Sequence, residues 1–189
     1  DSAYWTYQRR GEVWHGYGRI GLREGFVRSS NVYFAQLGLA CGAERFNIVA
    51  ESAHLNERVT VFSGPGGEIR SLAGNLPRLT PRDRAAVAQV SIGQGALLAT
   101  PLHVAMFTAA IAAGGTVWQP RLDAKEAPRM MNRITTPPAA ATVAALMREA
   151  VAAGTGRGAD IPGLEVCGKT GTAEAPGGED HAWFTCFAP

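Results

Sequence analysis

The chain has 189 residues, 46% of them hydrophobic, and a formal net charge of +2, which suits one globular domain or a large piece of one. So small a charge, carried by scattered arginines without interleaved aromatics, argues against a nucleic-acid or membrane-surface partner. No apolar run reaches the roughly 18–20 residues of a membrane span, and Cys41, Cys167 and Cys186 are spaced too widely for a metal pattern. Neither a metal nor another cofactor is called for. The cysteines read as buried thiols, with a Cys167–Cys186 bridge left open for an oxidising compartment.

Residues 1–24 are rich in Trp, Tyr, Gly and Arg without a clean period, and read as irregular loops with short extended pieces. Arg28-Ser-Ser-Asn31 then precedes the apolar run 32–40, which closes at Gly42. Ser and Asn before such a run are helix N-cap chemistry. A second helix is expected over 44–55. From Asn56 to Pro81 glycine and proline accumulate, and Ser63-Gly-Pro-Gly-Gly67 marks a loop. A stretch that long without structure is either functional or incidental to a larger fold.

Thr80-Pro81, Thr100-Pro101 and Thr136-Pro137 each present a cap residue followed by proline at the first helical position. The helices they open are expected to run through Val90 to the turn Ile92-Gly-Gln-Gly95, to Gly114-Gly115, and from Ala139 to Ala153. In the third, Val143, Leu146, Met147 and Ala150 share one face at helical spacing, which is core packing. The chain then gives a strand over Leu164–Ala173, a turn at Pro176-Gly-Gly178 and a second strand over Ala182–Phe187. These form an antiparallel hairpin whose loop exceeds the usual two residues. Trp183 and Phe184 read as core. His15, His54, His103 and His181 read as structural or surface residues.

Lys169-Thr-Gly-Thr172 stands apart. Of 18 basic residues only Lys125 and Lys169 are lysines, so a lysine inside an apolar strand is not generic surface charge. Gly171 leaves the backbone open to close approach. Strand alternation alone puts Lys169 and Gly171 on one face and Thr170 and Thr172 on the other.

Two short motifs in this order, Ser29-Ser30-Asn31 and Lys169-Thr170-Gly171, resemble the Ser-x-Asn and Lys-Thr-Gly elements of penicillin-binding proteins and serine β-lactamases. Ile92-Gly-Gln-Gly95 with Thr100-Pro-Leu102, Gly154-Thr-Gly156 and His181-Ala-Trp-Phe184 look like the same family. The resemblance runs from about Gly25 to Pro189. Thr172-Ala-Glu174 and His181 look more like the monofunctional class B proteins than the bifunctional ones. The implied fold is α+β, an antiparallel sheet flanked by helices. Here it would be an incomplete portion, holding the helical region and two sheet strands.

One element departs from the pattern. No Ser in the chain has Lys three positions on, and in the family that Ser-x-x-Lys supplies the nucleophile ahead of Ser-x-Asn. Residues 1–189 are therefore expected to be a partial transpeptidase domain, truncated on the N-terminal side and shortly beyond the C-terminal end. By resemblance, the full-length protein is a D,D-transpeptidase that cross-links peptidoglycan stem peptides ending in D-Ala-D-Ala and is acylated by β-lactam antibiotics. It would act outside the cytoplasm, anchored to the membrane, in company with cell-wall synthesis proteins.

The resemblance gives each residue a role. Ser29 relays a proton toward the leaving amine, Asn31 holds the substrate amide, and Lys169 supplies positive charge. Thr170, Gly171 and Thr172 form the substrate-binding strand, the Thr hydroxyls receiving the substrate carboxylate and the Thr172 N–H serving the oxyanion. A related serine β-lactamase or carboxypeptidase is the enzymatic alternative, separated by acyl-enzyme lifetime. A sensor or scaffold of the same fold without a nucleophile is the other, separated by the sequence preceding Ser29.

Overall fold

A computed structural model of the chain describes residues 16–175 and 177–188. The loops expected over 1–15, with His15, and Pro176 of the late turn lie outside these residues.

Three helices open the described chain: α1 (Leu22–Val27), α2 (Asn31–Cys41) and α3 (Ala43–Ser52). A hairpin of β1 (Thr60–Gly64) and β2 (Gly67–Arg70) follows, then α4 (Arg84–Val90) and α5 (Pro101–Ala112). A second ribbon pairs β3 (Thr116–Trp118) with β4 (Met130–Arg133). Helix α6 (Pro137–Ala152) leads to the final pair, β5 (Cys167–Ala173) and β6 (His181–Phe187). The β5–β6 ladder is antiparallel and regular, with Lys169 opposite Thr185 and Thr172 opposite Ala182. This α+β arrangement is the expected one, and its principal strands are where the sequence put them.

Several local expectations change. The short helix α1 begins inside the stretch 1–24 read as irregular and runs past its end. The region 56–81 is not structureless: Gly64 pairs with Gly67 across a tight turn. Gly67 takes a φ of +113°, open to glycine alone. Beyond β2 the chain forms no third strand and is held by asparagines. Asn56 Nδ2 donates to the Leu76 carbonyl at 2.9 Å and its Oδ1 accepts from the Leu76 N–H at 2.6 Å. Asn47, buried, does the same to Leu79 at 2.9 and 3.0 Å. A side-chain amide has the donor and acceptor of a neighbouring strand, so a polar, Gly/Pro-rich segment is tied down without strand periodicity.

Thr80-Pro81 does not open α4. The Thr80 N–H and hydroxyl both donate to the Asp83 carboxylate at 2.7 Å, closing a turn and delaying the helix to Arg84. These bonds favour the ionised Asp83 and hold its carboxyl below its usual range. Thr100 does cap α5, its hydroxyl accepting from the His103 N–H at 3.2 Å. Thr136 precedes α6 without a side-chain cap bond.

The helices cover one face of the β5–β6 pair, α6 against β5 and α5 against β6. Ile111, Met147 and Cys167 form the buried centre there, with Phe26, Val143 and Phe187 packed against it. The predicted α6 face is buried at Leu146, Met147 and Ala150, and Val143 joins its edge. Between α5 and β6 the Thr108 and Thr185 hydroxyls bond at 2.6 Å. Phe184 points the other way and is 42% exposed, so it is not core. Its ring lies over Gly168, where a Cβ would come within 2.6 Å.

The cysteines also differ from expectation. Cys167 is buried, and desolvation pushes its thiol above the ordinary range, whereas Cys41 and Cys186 are exposed. All three are free. Cys186 pairs with Gly168 and Cys167 with Phe187, so alternation sends the two thiols to opposite faces and no bridge joins them.

Candidate active site

The junction of α1 and α2 sets the first half of the site. Arg28 ends α1, Ser29 turns the chain with φ +53°, and Ser30 caps α2. A left-handed conformation costs a non-glycine residue about 1–3 kcal/mol. It is held by the Ser29 and Ser30 N–H groups, which donate back to the Phe26 and Gly25 carbonyls at 3.1 and 2.9 Å. Of the Ser and Asn residues expected to cap α2, Ser30 does so, 6% exposed, its Oγ accepting from the Tyr33 N–H at 3.3 Å. The Ser29 hydroxyl is thereby left to project out of the turn. Asn31 sits exposed on the first turn of α2, and its side chain makes no hydrogen bond among the described residues.

The second half is β5. Lys169 Nζ donates to Ser29 Oγ at 2.7 Å and to the Thr170 carbonyl at 2.9 Å, and lies 5.9 Å from the centre of the Phe26 ring. It has no carboxylate partner among the described residues. Burial alone pushes its pKa below the ordinary lysine range. A half-buried amine beside a hydroxyl, with no anion to stabilise its charge, gives up a proton more readily than one in solvent. The pair is thus suited to hold or pass a proton at Ser29 Oγ.

The expected split between strand faces is present. Thr170 turns away from Ser29, and its hydroxyl bonds the Thr155 hydroxyl at 2.6 Å. Thr172 is exposed, its carbonyl accepting from Gln94 Nε2 at 3.1 Å. At Gly171 a Cβ would find only the Trp183 Cβ, at an ordinary 3.5 Å. Packing within this chain therefore does not demand glycine there. An open cavity of about 990 Å³ borders the site at Thr155, between α1 and the end of α6, but does not include Ser29 or Lys169.

The structure thus joins Ser29 and Lys169 across the length of the chain, while Thr170 and Thr172, next to Lys169 on β5, turn their side chains to the other face of the strand. Asn31 is a neighbour without a bond. His181 is exposed at the start of β6, opposite Ala173, away from the lysine. His103 is buried and structural, linking Thr100 Oγ1 at 2.7 Å to the Glu57 carbonyl at 3.2 Å. Sequence reasoning gave no individual role to Gln94 or Thr155. Each is a polar residue between two glycines, and Gly93 and Gly95 both have positive φ near +75°, the signature of a turn shaped to present what lies between them.

The family model described as the penicillin-binding protein transpeptidase domain matches residues 2–189. The peptidoglycan D,D-transpeptidase PbpA of Mycobacterium tuberculosis is 36% identical over 189 residues, covering 90% of this chain and 36% of that protein. MrdA of Haemophilus influenzae, also named a peptidoglycan D,D-transpeptidase, is 31% identical over 233 residues, covering 100% of this chain and 35% of that protein. The chain thus spans about a third of the length of the curated relatives it matches. Among solved structures, penicillin-binding protein A from M. tuberculosis superposes with a TM-score of 0.73 at 33% identity, covering 89% of this chain and 42% of that one. Its ceftriaxone acyl-enzyme complex gives 0.74 at 33% identity, with 89% and 40% covered.

Proposed function

The chain belongs to the penicillin-binding protein transpeptidase domain family, and on that footing we propose that it forms the binding wall of a peptidoglycan D,D-transpeptidase active site. Residues 1–189 are read as part of one transpeptidase domain. The acyl-enzyme forms on a serine of a Ser-x-x-Lys segment outside these residues, and that segment's lysine takes the serine proton. The attacked carbonyl belongs to the penultimate D-Ala of a stem peptide, and the terminal D-Ala leaves as an amine. Ser29 Oγ, held by Lys169, passes a proton to that amine. Thr170 and Thr172 receive the terminal carboxylate, and the Thr172 N–H stabilises the oxyanion. Asn31 holds the substrate amide. β-Lactams enter by the same route, and solved relatives include complexes described as acyl-enzymes with ceftriaxone, imipenem and penicillin G.

The observation that carries this reading is the 2.7 Å bond between Lys169 Nζ and Ser29 Oγ, made by a lysine whose pKa burial has lowered. Because peptidoglycan lies outside the cytoplasm, the full-length protein is placed at the outer face of the cell membrane. No helix among the described residues is long and apolar enough to cross one. The test is labelling of the full-length gene product with a fluorescent penicillin, followed by denaturing electrophoresis. Wild type should give a covalent band. Ser29→Ala and Lys169→Ala should each lower the acylation rate constant by roughly 10²–10⁴, the range of a positioned proton-transfer group. A full-length wild type that never labels overturns the reading.

A further inference from the structure

In an antiparallel ladder every second residue turns both its N–H and its C=O away from the partner strand. Thr170 and Thr172 share a parity on β5. Both of their carbonyls accept side chains from outside the ladder, Lys169 Nζ at 2.9 Å and Gln94 Nε2 at 3.1 Å. These are therefore the outward residues of the edge that β6 does not cover. Among the described residues β5 pairs with β6 alone. A bare strand edge invites pairing with another extended chain, and here its two outward carbonyls near the site are already occupied. Lys169 belongs to the site itself. Gln94 does not: it reaches in from the turn after α4.

That turn is built to hold Gln94 in place. The Ile92 and Gln94 N–H groups donate to the Gln89 carbonyl at 3.1 and 2.9 Å, and the Gly93 N–H donates to Val90 at 3.0 Å. A Cβ at Gly95 would press on the Gln89 side chain, 2.8 Å from its Oε1. The backbone is thus fixed, and the long Gln94 side chain is the part left to swing. Its N–H occupies the Thr172 carbonyl as a neighbouring strand's amide would.

We propose that Gln94 is a placeholder at the β5 edge, which an extended acyl donor must displace before its own amide N–H pairs with the Thr172 carbonyl. The inference rests on the transpeptidase reading and adds to it a residue that sets specificity. A donor with an amide beside the reacting carbonyl trades one hydrogen bond for another. A donor without that amide need not displace Gln94 and gains nothing if it does. The residue acts through Thr172 and takes no part in bond making.

The test measures acylation rate constants of the full-length product for two probes, benzylpenicillin, which carries a side-chain amide, and penicillanic acid, which has no nitrogen on C6 and so no N–H to offer the Thr172 carbonyl. Wild type is compared with Gln94→Ala and with Gln94→Glu, whose carboxylate cannot donate. Once the carbonyl is free, the benzylpenicillin to penicillanic acid ratio should rise roughly three- to ten-fold in both variants, the scale of one net hydrogen bond. A ratio that stays at the wild-type value or falls overturns the proposal, including the case in which both rates drop because the strand end has lost support. Melting temperatures of the two variants separate that case from general unfolding. If wild type is labelled by neither probe, the transpeptidase reading itself has failed.

Discussion

A lysine amine 2.7 Å from a serine hydroxyl, half out of water and with no carboxylate beside it among the described residues, titrates differently in the folded and unfolded chains. Burial disfavours its charge, so the folded pKa lies below the ordinary 10.5. Between the folded value and 10.5 the unfolded chain binds the proton more strongly, and stability therefore rises with pH across that window. Below the folded value both states are protonated and the cost of burying the charge is fully present. A Lys169→Met variant removes this dependence. Melting curves at a series of alkaline pH values should show the wild type gaining on the variant as pH climbs toward 10.5. A difference that is flat with pH would mean that the amine is solvated like any surface lysine.

At the scale of elements, the position of Ser29 depends on how closely α2 can approach its neighbours. Gly38, buried on α2, faces the end of α4, where a Cβ would fall on the Ser91 side chain and lie 3.1 Å from the Phe46 ring. Ser91 has little room to yield, since its Oγ bonds the Val87 carbonyl at 2.5 Å. Gly25 on α1 likewise sits 2.7 Å, measured from a built Cβ, from the Tyr33 ring of α2. On an open helix face Gly→Ala would stabilise by about 1 kcal/mol. At Gly38 overpacking reverses the sign, and Gly38→Ala should destabilise the protein by about 1–3 kcal/mol in urea unfolding. Because α2 begins at Asn31, the same variant should slow penicillin acylation. A stabilised, fully active Gly38→Ala protein would show that α2 and α4 have room to separate.

At the scale of the whole molecule, the 189 residues hold one face of the β5–β6 pair under helices and leave the other open among the described residues. Phe184, Ala182 and Cys186 are exposed there. A two-strand sheet with exposed edges and an uncovered face tends to find another chain to pair with. The isolated 189-residue chain should therefore associate or unfold without cooperativity, measured by light scattering and thermal denaturation. A clean monomer with a cooperative transition would refute this. The same chain should give no covalent band with fluorescent penicillin, since it lacks Ser-x-x-Lys. That test is not empty, because the chain does contain a serine and a lysine in contact. A band that vanished in Ser29→Ala would make Ser29 a nucleophile instead of a relay.

The amino-acid sequence by itself determined the helices with caps and apolar faces, the final hairpin, and the motifs that mark the family. These are local signals: a cap residue and proline, a helical period, or a few side chains at fixed spacing. It missed the ribbons β1–β2 and β3–β4 and the segment beyond β2. The segment beyond β2 is tied to distant partners, Asn56 to Leu76 and Asn47 to Leu79, and the ribbons are too short for a strand period to stand out in a Gly/Pro-rich stretch. The motif resemblance picked out Ser29 as the serine near the lysine, but the local pattern could not say that Ser30 is the one that caps α2, because the left-handed turn at Ser29 decides that. Nor could it bring Gln94 to Thr172, or Thr155 to Thr170. Those contacts exist only once α4, α6 and β5 have packed, and they turn a short motif into a site with a defined edge.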